Sequence, residues 1–135
     1  MINREFVPYE LALELRELGF DEPCLAYYDN DGDFLGDISV NEDIGNLYRN
    51  SFLVMYNDFK YADAASPLFS QAFRWFREKY QISPSIHCMS EQGNSWRYHI
   101  PNEGGERDFH TYEEAELDCL NKLIEIVKKY ELEKL

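Results

Sequence analysis

Apolar and polar positions alternate along the chain with two periods, one helical and one of two residues. Between Pro8 and Leu18 the apolar residues Leu11, Ala12, Leu15 and Leu18 recur at helical spacing, and Glu10, Glu14, Arg16 and Glu17 take the opposite face. Pro8 suits a first-turn position and Gly19 a stop. "PCLAYYD" then reads as a strand, the Asp-rich run as a turn, and "FLGDISV" as the returning partner, which makes a hairpin. Residues 41–65 are ambiguous, because a short apolar run such as "SFLVMYNDF" fits a strand or a turn of buried helix; a strand is preferred.

The pattern sharpens after Ser66-Pro67, read as a cap and a first-turn proline. Phe69, Ala72, Phe73, Phe76 and Tyr80 follow on one stripe, widened by Leu68 and Trp75, with Gln71, Arg74, Glu78 and Gln81 toward water. "SIHCMSEQGNSWRYHI" predicts two strands about a Gly-Asn turn. Only an odd-numbered connection puts Ile86 and Cys88 on one face with Trp96, Tyr98 and Ile100. The last helix opens on the capping box Thr111-x-x-Glu114 and carries a broad apolar face from Ala115 to Tyr130. The expected fold is α+β, three helices packed on antiparallel hairpins in the order α-ββ-(β)-α-ββ-α. With 135 residues, enough to bury roughly two thirds of the unfolded surface, 1–135 is expected to form one globular domain.

Two stretches carry a resemblance. "SPLFSQAFRWFREKYQI", a hairpin and "TYEEAELDCLNKLIEIVKK", covering about residues 64–129, resemble a family of small uncharacterised proteins of phages and prophages of intestinal bacteria, and "GFDEPCLAYY" is similar as well. Many relatives have Ala where Ser66 precedes Pro67 here. The resemblance implies a compact α+β fold and a phage or prophage context, and brings no activity and no catalytic residues.

Charge narrows the function classes. A formal net charge of -13 works against a hold on nucleic acid, which depends on Lys and Arg displacing counterions, so no direct nucleic-acid binding is expected. The amino terminus is charged within its first residues and has no uninterrupted apolar region, so no membrane span and a cytoplasmic location are expected. Cys24, Cys88 and Cys119, odd in number and without CxxC spacing, read as buried free thiols.

Candidate chemistry is thin. Asp29, Asp31 and Asp33 alternate like the start of a calcium loop, but a frame beginning at Asp29 puts Phe34 at position 6 and Val40 at position 12. A frame beginning at Asp31 recovers Gly36 and Glu42 but has Leu35 at position 5. Hairpin-turn chemistry is the reading that remains. His87 and Cys88 are adjacent in a strand and point to opposite faces, and His87 with His99 lacks a third ligand, so no metal site is expected. Cys88, on the core face, is expected to be inert as a nucleophile. No GxGxxG or GxxxxGKS pattern is present, and among 26 acidic residues a carboxylate pair signifies nothing without geometry. No catalytic residue and no cofactor are assigned.

The first functional expectation is therefore a non-enzymatic interaction module engaging a protein with a basic surface. Its candidate binding residues are the acidic stretch Asp29, Asp31, Asp33 and Asp37, followed by Glu42 and Asp43, together with a small basic patch at Arg74 and Arg77 near Lys79 and Arg97. The alternative is a small-ligand protein or enzyme with a cleft between the aromatic helix 67–80 and the hairpins, with Arg74, Arg77 or His99 at its rim. The large rings Trp75, Trp96 and Tyr98 also leave a homo-oligomer open.

Overall fold

The computed structural model describes residues 2–35, 48–51, 62–105 and 107–134. The chain divides into two compact units, Met1–Gln71 and Ala72–Leu135. Among the described residues the class and the element order are those expected: an α+β fold whose named elements are three helices and antiparallel hairpins.

In the first unit a 3-10 turn, Ile2–Glu5, leads to helix α1, Tyr9–Glu17. Pro8 lies just outside that helix in extended conformation. Gly19 adopts φ 95, and the amides of Gly19 and Phe20 return to the carbonyls of Arg16 and Leu15. That pair of bonds is a Schellman stop, in which a left-handed residue lets the last carbonyls of the helix find donors. Leu11, Ala12 and Leu15 are buried, as the helical spacing requires.

Strand β1, Ala26–Asp29, lies in the middle of an antiparallel sheet, with β2, Phe34–Leu35, on one side and β3, Ala62–Ser66, on the other. Tyr27 pairs with Leu35 and Tyr28 with Phe34 across the first hairpin. Helix α1 packs on β3. The strand expected at Ser51–Phe59 falls, from residue 52 on, outside the described residues. Ser66 does not cap a helix: it ends β3 fully buried, and its hydroxyl donates to the Val7 carbonyl at 2.9 Å. The Tyr28 hydroxyl donates to the same carbonyl at 2.8 Å, so both lone pairs of a buried acceptor are used.

Helix α2 runs from Phe69 to Tyr80, two residues after Pro67, and passes from the first unit into the second. Ala72, Trp75 and Phe76 are buried on its expected stripe, and Arg74, Arg77 and Glu78 are exposed. Gln71, expected to face water, is half-buried and donates to the Pro23 carbonyl at 2.8 Å.

In the second unit β4, Ser85–Cys88, and β5, Trp96–His99, pair antiparallel, Ile86 opposite Tyr98 and Cys88 opposite Trp96. The connection, Met89 to Ser95, is odd-numbered, so the shared face of Ile86, Cys88, Trp96 and Tyr98 is the one expected. Burial fades along that face toward the turn. Ile100 is buried and Tyr98 half-buried, whereas Cys88, beside the exposed Met89, is itself exposed. Cys24 and Cys119 are buried as expected; Cys88 is a correction, because it sits at the turn end of the hairpin. Helix α3, Tyr112–Glu133, packs on both strands through a buried stripe that includes Ala115, Cys119, Leu123 and Val127.

Candidate functional site

The acidic turn of the first hairpin is built by Asp29. Its Oδ1 accepts from the amides of Asp31, at 3.0 Å, and Asp33, at 2.8 Å. The Asp29 amide donates to the Asp33 carbonyl, and Gly32, at φ 82, donates to the Asp29 carbonyl. The Asn-Asp-Gly sequence thus serves a turn in which a short carboxylate substitutes for backbone acceptors and glycine takes the left-handed position. The carboxylates of Asp29, Asp31 and Asp33 lie within 4.8 Å of one another, and among the described residues this is the one group of three or more His, Cys, Asp or Glu so close. Asp31 and Asp33 are exposed and Asp29 half-buried. Asp37, Glu42 and Asp43 lie outside the described residues.

The basic patch read from the sequence is divided among separate contacts. Arg97 forms an ion pair with Asp108, and this hydrogen bond holds the Asp108 carboxyl below its usual range. Lys79 places its ammonium over the rings of Trp75, 4.9 Å from the centroid, and Tyr80, at 5.4 Å. Arg74 and Arg77 are exposed on α2 and belong to the second unit, whereas the acidic turn belongs to the first. Trp75 is 7% exposed, a core residue, and Trp96 and Tyr98 are half-buried. His87 and His99 share a face of the second hairpin, both exposed, and the Nε2 of His87 is 2.9 Å from the Ser85 hydroxyl.

The division into units exposes a charge asymmetry. Residues 1–71 hold 14 acidic and 4 basic side chains, a net -10, and residues 72–135 hold 12 and 9, a net -3. Glu5, Glu10, Glu17, Asp21, Asp31 and Asp33 are exposed in the first unit. Most of the protein's charge therefore belongs to the unit that carries the acidic turn.

A second feature lies in the other unit. A recess of about 420 Å³ is walled on one side by Tyr98, His99 and Ile100, and rimmed by Glu103, Gly104, Gly105 and Arg107. Its far wall is a polar stripe of α3: Asp118, Asn121, Lys122 and Glu125. The Tyr98 hydroxyl crosses between the walls and donates to Asp118 Oδ2 at 2.7 Å. Burial and that carboxylate push the Tyr98 titration far up, and Arg107 opposes the rise. His99 thus lines a recess whose opposing wall is α3, a different place from the cleft expected between helix 67–80 and the hairpins. The signal available in the sequence was the i, i+3, i+4, i+7 spacing of the four polar residues on α3. It reads equally as a solvated helix edge until β5 is seen opposite.

No family model matches the chain, no curated protein matches it, and no solved structure matches its fold. No described helix is long and apolar enough to cross a membrane.

Proposed function

We propose that the protein is a non-enzymatic, cytoplasmic accessory protein of phage or prophage context whose acidic first unit engages a partner with a basic surface. The observation that carries this reading is the concentration of a net -10 on residues 1–71, with Asp31 and Asp33 exposed at an internally hydrogen-bonded hairpin turn. A fixed turn presents its charges at no further ordering cost, and a dense field of one sign speeds encounter with the opposite sign and rejects like-charged surfaces. The likeness of residues 64–129 to small phage and prophage proteins is the reason the proposal is set in that context.

The test is capture from bacterial lysate on the immobilised protein, read as a function of salt. The expected result is retention of basic, nucleic-acid-binding proteins that elute as salt rises, is competed by duplex DNA, and weakens in an Asp31→Asn/Asp33→Asn variant. Retention that ignores both salt and the double substitution would overturn the reading.

A further inference from the structure

The recess between β5 and α3 has a composition that packing alone does not require. A helix lying on a hairpin needs an apolar stripe, and α3 supplies one through Ala115, Cys119, Leu123 and Val127. The neighbouring stripe, Asp118 to Glu125, faces a concavity opposite β5 and is wholly polar. Its volume, about 420 Å³, falls at the small end of ligand sites, which run roughly 300–1,000 Å³. A macromolecular segment would not be enclosed by it, but a small molecule would.

Charge chooses the ligand class. Lys122 and Glu125 form an i,i+3 ion pair along the helix at 3.7 Å. Arg107 rests its guanidinium 4.9 Å from the Phe109 ring centroid and makes no ion pair among the described residues. Asp118 spends Oδ2 on Tyr98, and its Oδ1 accepts no hydrogen bond among them. Tyr98, Asp118 and Arg107 all line the recess, the Tyr98 hydroxyl donates to Asp118, and among the described residues Asp118 and Arg107 form no ion pair with each other. Glu103 adds a second acceptor at the rim. A simple anion would meet Arg107 but also Glu103 and Asp118, and a simple cation would leave Arg107 unanswered. A β-carbon built on Gly104 or Gly105 would meet nothing within 4 Å, so the rim beside Arg107 is open to solvent.

We propose that this recess binds a small zwitterion of the α-amino acid class, its ammonium on Asp118 and Glu103 and its carboxylate on Arg107. Tyr98, locked by its bond to Asp118, is the positioning residue that keeps the carboxylate aimed. The site lies within the second unit and is independent of the acidic surface proposed above.

Titration of the isotope-labelled full chain with each common L-α-amino acid, and with acetate and methylammonium as half-ligands, tests it by amide chemical shifts. At least one amino acid is expected to give saturable shifts at Tyr98, Arg107 and Asp118 at concentrations where neither half-ligand does. Loss of a charged hydrogen-bond partner weakens binding by about tenfold or more, so Arg107→Gln and Asp118→Asn are each expected to do so. Arg107 is exposed, and its variant keeps the test alive if Asp118→Asn disturbs folding. No saturable shift with any amino acid, an equal response to acetate, or unchanged affinity in Arg107→Gln would each overturn the proposal.

Discussion

Cys24 and Cys119 show how a single buried atom sets a pH limit. Burial, reinforced by Glu22 and Asp21 at the first and by Asp118 and Glu116 at the second, pushes both thiols up to about 12 from an ordinary 9.0. The folded state therefore keeps its protons where the unfolded chain loses them, and linkage makes stability full below about pH 9 and progressively lost as pH rises toward 12. The urea midpoint is expected to fall over that window in the native protein. It should fall less steeply in Cys119→Ala, once the constant cost of the lost sulfur is subtracted. Parallel curves for the two proteins would show that the buried thiol is not responsible. The tyrosines Tyr28 and Tyr98, also raised chiefly by burial, act in the same direction but begin nearer pH 10.

Among the elements, α3 was the most legible in the sequence, because its capping box and its apolar stripe agree. Thr111 Oγ1 accepts from the Glu114 amide at 3.1 Å, and the Glu114 carboxylate returns to the amide of His110, one residue earlier than the usual box. Thr111→Ala should cost about 1 kcal/mol, measured as a shift in the urea midpoint at constant slope. A cost indistinguishable from zero would mean water caps the helix equally well. The register of the second hairpin was also legible, since the apolar face constrains the parity of the turn. What that alternation does not encode is how far along the strands the covering helix reaches, and Cys88 was misplaced for this reason. Ser66-Pro67 misled differently. The local pattern is that of a helix start, but the buried Val7 carbonyl, 59 residues away in sequence, claims the Ser66 hydroxyl. Long-range demands of this kind leave no mark on local spacing. Among the candidate site residues, alternating aspartates announced their turn, whereas the recess depends on a strand facing a helix and became readable only in three dimensions.

For the whole molecule, the uneven charge has a cost in stability. A net -10 on residues 1–71 repels itself at low ionic strength, where fields extend about 30 Å at 0.01 M salt against about 8 Å at 0.15 M. The melting temperature is expected to rise as sodium chloride is added across that range, followed by circular dichroism. A flat or falling trend would show that the charges are too dispersed to matter, and would weaken the case for a basic partner at the same time. Neutralisation by such a partner would act like the salt, stabilising the first unit on binding. Asn50 bears on the same unit. It is buried, its amide donates to the Phe20 carbonyl at 2.7 Å, and its oxygen accepts from the Ala65 amide at 2.8 Å. That arrangement makes the first unit sensitive to the chemistry of one side chain. Spontaneous hydrolysis of this amide would turn the donor into an oxygen facing the Phe20 carbonyl and add a buried negative charge to the unit least able to accept one. A preparation ageing in this way would lose its first unit through a change of one mass unit, with no bond of the backbone broken.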